Sequence, residues 1–253
     1  MTRSRWSDVA AVVLAIPVIG GLGFVFRAQH THTIAAAPPA ASLDRPQPPL
    51  NTHQSVLFVG DSYTAGTGVA EMSYGCMAAF KMGLLCRLSA GPGTGYISGG
   101  VANRFVVNEY IGPSKSFDER LPGLAAKYNP DIVILDGGRN DLFASTDSVF
   151  NSMSTTIAEV RRTWPQATIV LIRPRFLSRP GDDLGFDDDF IARLKQQPAA
   201  QDMVVIDPIG SLSSIDTSSL LASDGIHPNK RGELALASAL VASLRDQGVR
   251  SKS

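Results

Sequence analysis

The sequence predicts a three-layer α/β domain on a parallel sheet, preceded by one N-terminal transmembrane helix. Three observations carry this. Short apolar runs recur at 56–59, 84–88, 132–135, 168–172 and 203–206. They are largely β-branched and continuous rather than alternating, the pattern of strands buried on both faces. Helical stretches fall between them, at roughly 74–83, 118–128, 147–163 and 186–197, and a last one at 230–246 closes the domain. Strand–helix alternation of this kind gives a parallel sheet covered on both sides. The third observation lies upstream. Residues 9–26 are uncharged and apolar throughout, bounded by Asp8 and Arg27.

That upstream run is too long for the apolar core of a signal peptide, about 7–15 residues, and fits the roughly 17–25 of a spanning helix. Arg3 and Arg5 precede it, so the positive-inside bias puts the N-terminus in the cytoplasm and the rest outside. The expected location is the cell membrane, single-pass, with the domain extracytoplasmic. A cleaved signal near Ala35-Ala36-Ala37 is the alternative and would make the protein secreted, although Pro38 disfavours that cut. The divisions expected are an anchor or signal over 1–27, a Pro- and Ala-rich linker over 28–54, a globular domain over 55–246 and a polar tail over 247–253. A linker of that composition cannot bury a core and acts as a semi-rigid spacer. His30 and His32 lie in it and read as solvated.

Bulk composition excludes some classes of function. The 253 residues carry 44% hydrophobic and 18% charged side chains with a formal net charge of zero. No basic stripe marks a nucleic-acid partner. No Gly-x-x-x-x-Gly-Lys loop marks a nucleotide phosphate. The two cysteines, Cys76 and Cys86, suggest a disulfide in an oxidising compartment, against two buried thiols as the alternative.

The chemistry-bearing residues stand where the predicted strands end. Residue 59 leads into Gly60-Asp61-Ser62, residue 88 into Ser89-Ala90-Gly91-Pro92-Gly93-Thr94-Gly95, and residue 135 into Asp136-Gly137-Gly138-Arg139-Asn140-Asp141. Ligand crevices of open α/β sheets lie at the carboxyl ends of the strands, so these turns are expected to meet. Asp224-Gly225-Ile226-His227-Pro228 precedes the last helix, and Pro228 argues against a mid-helix position for His227. Ser62 is the candidate nucleophile, which needs an adjacent base. His227 is the candidate base and Asp224 its orienter. Donors for an oxyanion are available from the N–H of Ser62, the glycine turn 91–95 and the Asn140 amide. Asp61 is expected to brace the turn. Each piece alone has a plainer reading as a turn, loop or helix cap; four together in this order do not.

These blocks resemble the SGNH hydrolases, also called the GDSL esterase and lipase family, over about residues 55–245. Gly60-Asp61-Ser62-Tyr63-Thr64-Ala65-Gly66 is similar to the first block, Gly91–Tyr96 to the second, Gly138-Arg139-Asn140-Asp141 to the third and Asp224-x-x-His227 to the last. The resemblance implies a flavodoxin-like sandwich with a five-stranded parallel sheet, Ser62, Asp224 and His227 as catalytic residues, and Ser62, Gly95 and Asn140 as the oxyanion hole, with Gly93 as the alternative to Gly95. It implies no cofactor and no metal. The second block often begins with Asn, where this chain has Ser89-Ala90.

The activity expected is an extracytoplasmic serine esterase acting on short acyl groups, such as acetyl on an envelope glycan or glycolipid. The alternatives are a lipase or thioesterase, an O-acyltransferase using the same residues, or a non-catalytic envelope-binding domain. The ester substrate and the membrane are the expected partners. Loss of activity is expected as His227 protonates in acid. Two further features have a structural reading first. Asp182, Asp183, Asp187, Asp188 and Asp189 read as a solvated loop and helix start, with cation binding as the alternative. Met72, Tyr74, Met77, Phe80 and Met82 read as core packing of the first helix, with an acyl-pocket lining as the alternative.

Overall fold

The structure is a computed structural model that describes residues 54–108 and 112–250. The expectations for residues 1–53, anchor and linker included, lie outside the described residues. Among the described residues no helix is long and apolar enough to cross a membrane.

The chain forms β1 (Ser55–Gly60), α1 (Ser62–Ala65), α2 (Tyr74–Lys81), β2 (Leu85–Ala90), β3 (Val106–Asn108), β4 (Gly112–Pro113), α3 (Phe117–Ala125), β5 (Ile132–Asp136), α4 (Thr146–Thr163), β6 (Thr168–Ile172), α5 (Asp188–Lys195), β7 (Val204–Ile206) and α6 (Lys230–Asp246). Five strands make one sheet in the order β2-β1-β5-β6-β7, with every pairing parallel. The strands fall on the five predicted apolar runs. Strands β3 and β4 form a small antiparallel pair off the main sheet.

Alternation along each strand divides the core in two. Val56 and Phe58 of β1, with Ile132 and Ile134 of β5, pack against α2 and α6 through Ala78, Ala79, Leu236 and Leu240. Leu57, Val59, Val133 and Leu135 face the other way, against α3, α4 and α5 through Leu121, Ile157, Val160 and Leu194. This is why the strands read as continuous apolar runs: both faces are covered, so neither parity needs polar side chains. The helix starts follow local chemistry. Ser73, Ser145, Asp187 and Asn229 cap α2, α4, α5 and α6 by accepting backbone N–H bonds. Ser116 and Glu119 form a capping box on α3.

Cys76 of α2 and Cys86 of β2 are joined, with a Cα–Cα distance of 5.3 Å. The bridge ties α2 to the edge strand. The first-helix expectation holds in part: Tyr74 and Met82 are buried, Met77 packs against the core, but Phe80 is 85% exposed and Met72 half-exposed. The reason is length. α2 ends at Lys81, and the tight turn through Gly83 (φ 70°) starts β2 before Phe80 meets a covering element.

Candidate active site

The nucleophile candidate sits at the first turn of α1. Asp61 is the N-cap, and its Oδ1 accepts the Tyr63 N–H at 2.9 Å. This leaves the Ser62 N–H among the unsatisfied donors of a helix start. Gly60 is dictated by a close approach, because a Cβ there would lie 1.8 Å from the Thr64 hydroxyl. Asp61 N donates to the Asp136 carbonyl, and Gly91 N to the Gly60 carbonyl. The ends of β1, β2 and β5 are therefore stitched together, as the sequence led us to expect.

The loop before α6 supplies the other two groups. His227 Nε2 lies 2.8 Å from Ser62 Oγ, and His227 Nδ1 lies 2.7 Å from Asp224 Oδ2. Asp224 Oδ1 also accepts the N–H groups of Ile226 and His227 at 2.9 and 3.0 Å. These bonds, that to the His227 ring first, hold the Asp224 carboxyl well below the usual range. The loop is open: side-chain exposure is 39% at His227 and 48% at Asp224.

The Asn140 amide donates one hydrogen to the Thr94 carbonyl at 2.9 Å, which fixes its orientation and leaves the second hydrogen free of that bond. The glycine turn differs from the expectation. The Gly95 N–H donates to the Ser98 carbonyl at 3.0 Å, and Gly95 is buried. Its lack of a side chain serves a different end. A Cβ at Gly95 would fall 2.3 Å from the Asp141 carboxylate, which accepts the N–H groups of Tyr96, Ile97 and Ser98. Gly93 is half-buried with φ 72°, and its N–H meets no acceptor among the described residues.

Beneath the turn lies a charged cluster that the motif reading did not anticipate. The Arg139 guanidinium reaches Asp61 at 2.9 Å and Asp136 at 2.7 Å, and its Nε donates to the Arg175 carbonyl. Tyr74 and Thr64 hydroxyls donate to Asp136. Burial opposes the Arg139 charge, yet Asp136 and Asp61 overcome it and raise its pKa well above the ordinary value. Burial pushes the Asp61 carboxyl up to about 6, against the pull of Arg139 and with the repulsion of Asp136 added. Two carboxylates thus share one guanidinium. Arg120 closes the adjacent strand ends by donating to the carbonyls of Gly60 and Ser89. Tyr63 spans the two halves of the site. Its ring stacks under Arg139, its hydroxyl donates to the Ile226 carbonyl at 2.6 Å, and the Leu177 N–H donates to that hydroxyl at 3.1 Å. The sequence shows only a Tyr directly after the serine; its burial and its bonds to both halves come from the fold.

The acidic run is engaged locally. Asp182 pairs with Arg179 and accepts the Leu184 N–H, Asp183 accepts the Gly185 N–H, Asp187 caps α5 and Asp188 pairs with Arg173.

Residues 58–235 match the GDSL-like lipase/acylhydrolase family. The chain belongs to that family. It is a hydrolase of ester bonds. A family relative, the GDSL lipase Rv0518 of Mycobacterium tuberculosis, is 27% identical over 196 residues, covering 72% of this chain and 78% of its own. Among solved structures, the psychrotrophic esterase EstA of Pseudoalteromonas sp. superposes with a TM-score of 0.57 at 15% identity, covering 77% of this chain and 98% of EstA. A family two carbohydrate esterase from Cellvibrio japonicus superposes with a TM-score of 0.56 at 22% identity, covering 76% of this chain and 61% of that one. Both share the fold of the family.

Proposed function

We propose that Ser62, His227 and Asp224 are the catalytic triad of a serine esterase that removes short acyl groups, such as acetyl, from an extracytoplasmic glycan or glycolipid. The observation that carries it is the continuous relay Asp224–His227–Ser62, with both ring nitrogens of one histidine at hydrogen-bond distance from the two partners. His227 Nε2 takes the proton as Ser62 Oγ bonds to the ester carbonyl carbon, and the carbonyl π pair moves onto oxygen. Asp224 holds Nδ1–H and stabilises the imidazolium. The oxyanion is received by the N–H of Ser62, the free amide hydrogen of Asn140 and the N–H of Gly93, which replaces Gly95 because the Gly95 donor is already committed to Ser98. Collapse breaks the C–O bond to the alcohol, which leaves with the proton from His227. Water, deprotonated by the same nitrogen, then releases the acid and restores Ser62.

The glycan part of the reading is supported by the exposure of His227 and Asp224, which suits an ester borne on a bulky carrier, and accords with the carbohydrate esterases among the structural neighbours. The extracytoplasmic and membrane-anchored part rests on residues 9–26 and the linker that follows. One observation favours a second reading, a lipase. Leu142 and Phe143, which follow Asn140, and Ile226, which precedes His227, expose large apolar surface beside site residues. Such a rim would receive a longer acyl chain.

A p-nitrophenyl ester series from acetyl to palmitoyl tests both. Turnover that is highest at acetyl and lost in Ser62→Ala supports the deacetylase. A maximum at longer chains, also lost in Ser62→Ala, transfers the reading to the lipase. Turnover that survives Ser62→Ala removes the triad altogether.

A further inference from the structure

The end of the sheet opposite the candidate active site carries a feature that hydrolysis does not use. Among the described residues Phe80 is the most exposed of the large hydrophobic side chains, at 85%, and with Gly83, Leu84 and Leu85 it lines a shallow apolar cavity of about 240 Å³. Immediately beside it, Lys81, Arg245 and Arg250 surround a cavity of about 350 Å³ whose remaining wall is Met82. Lys81, Arg245 and Arg250 are all solvent-exposed. Arg87 lines the neighbouring groove together with Phe80 and Leu85. The acidic residues nearest this corner in the chain and its cavities are Glu71, Asp246 and Asp131, the last of which lines one cavity with Arg250 and accepts the Ser55 N–H; Lys81, Arg87, Arg245 and Arg250 outnumber them. An exposed aromatic flanked by three cations around an open cavity is complementary to a surface that is apolar inside and anionic at its face. A bilayer with acidic headgroups has that chemistry, and a free phosphate would use the cations but leave Phe80 unexplained.

The position of this corner supplies the second argument. The Leu85 N–H donates to the Gln54 carbonyl at 2.8 Å, so the corner stands where the chain enters β1. Gln54 and Arg250 line one cavity at that same end. Upstream of that entry the sequence holds the uncharged apolar run 9–26. Ser62 follows the opposite, carboxyl end of β1, six residues away along an extended strand, or about 20 Å.

We propose that the corner made by Phe80, Leu85, Lys81, Arg245 and Arg250 docks on an anionic bilayer surface, leaving Ser62 on the side of the domain that faces away from the lipid. The docking stands apart from the esterase reading; only its consequence, that the ester is reached away from the bilayer plane, rests on that reading. A polymer-borne or headgroup-distal ester then fits the orientation better than the acyl ester of a bilayer lipid.

The test uses the full chain reconstituted in nanodiscs of phosphatidylcholine, with or without phosphatidylglycerol, carrying spin-labelled lipid as a quencher. The two native cysteines are bonded to each other, so one introduced cysteine takes an apolar dye. The dye is placed at Phe80→Cys or at Phe143→Cys. The expected result is quenching severalfold stronger at position 80 than at 143, present with phosphatidylglycerol and lost in the triple variant Lys81→Glu, Arg245→Glu, Arg250→Glu. One basic residue at an anionic surface contributes roughly a fivefold factor, so loss of the three positive charges alone lowers the docked-to-free ratio by on the order of a hundredfold, and their reversal to Glu lowers it further. Equal quenching at the two positions, or quenching at 80 that ignores both headgroup charge and the triple variant, overturns the proposal. Ester turnover is read on the same discs with Ser62→Ala as control. Docking without Ser62-dependent turnover would overturn the esterase reading and leave the docking face standing.

Discussion

The two halves of the site are held in opposite ways. The Ser62 turn rests on a buried platform in which Asp61, Asp136, Arg139 and Thr64 are joined by hydrogen bonds and ion pairs. The Asp224–His227 loop is exposed and is kept in shape by short-range bonds, those of Asp224 to its own loop and of the Ala222 N–H to the His227 carbonyl. Between them, among the described residues, run the Ser62–His227 contact itself and one further tether, the Tyr63 hydroxyl to the Ile226 carbonyl. The Ser62 turn is thus fixed by the core, whereas His227 is held by its own turn, its contact with Ser62 and the Tyr63 tether. Damage to the first half should appear as lost stability, and damage to the second as lost turnover in a folded protein.

The largest effect is expected at the exposed half. Asp224→Asn keeps the shape of the side chain but cannot stabilise an imidazolium. It should lower kcat by roughly 10³ to 10⁴ while leaving the melting temperature nearly unchanged. A large fall in melting temperature would show that the loop is structurally coupled to the core and would break the contrast. The platform gives the reverse. Arg139→Met leaves Asp61 and Asp136 buried without their shared cation, and such a loss costs about 3–5 kcal/mol. Urea denaturation should show it, and a variant as stable as the wild type would mean that the platform does not depend on the shared guanidinium. Tyr63→Phe sits between these cases. It removes the donor to Ile226 and the acceptor for Leu177, worth about 1–2 kcal/mol of stability. As a positioning residue it should lower kcat by roughly tenfold with KM unchanged, and a KM change without a kcat change would show that the bridge does not set the base.

The sequence made one half of this comparison legible and hid the other. Ser62, Asn140 and His227 could be read because they follow strand ends or precede a helix, and topology alone brings such points together. The five strands were legible because both faces are covered. The platform was not, since Arg139 and Asp136 are ordinary residues of a turn until β1 and β5 are paired in register, with Gly60 opposite Asp136. The glycines show the same limit. Gly93 and Gly95 are equivalent in a motif, and only the folded turn shows that Gly95 is needed for packing against Asp141 with its N–H given to Ser98, while the Gly93 N–H meets no acceptor among the described residues. Phe80 was misplaced for a related reason: periodicity assigns a face to a helix, but not whether anything covers its last turn.

Glu233 sharpens the comparison at its weakest signal. It lies in the first turn of α6, directly after the exposed loop, yet it belongs to the buried half. Its Oε2 accepts the Tyr74 N–H at 2.7 Å, capping α2, while its Oε1 is buried with no hydrogen-bond partner among the described residues. Burial raises its pKa to about 7, against the Tyr74 bond and helped by the repulsion of Asp136. The folded state then binds this proton more tightly than the unfolded chain, whose carboxyl titrates near the usual value of about 4.3. The resulting stability is fully present below that unfolded value and is lost as pH rises towards and through 7. Asp61, raised to about 6, contributes with the same sign over a narrower window. Glu233→Gln retains an acceptor for Tyr74 and removes the titration, so melting temperature measured from pH 4.5 to 8 should decline less steeply in the variant, with the curves diverging most above 7. Parallel curves would mean that Glu233 is charged throughout and that the free oxygen is solvated, which would extend the open, water-accessible character of the histidine loop into the base of α6.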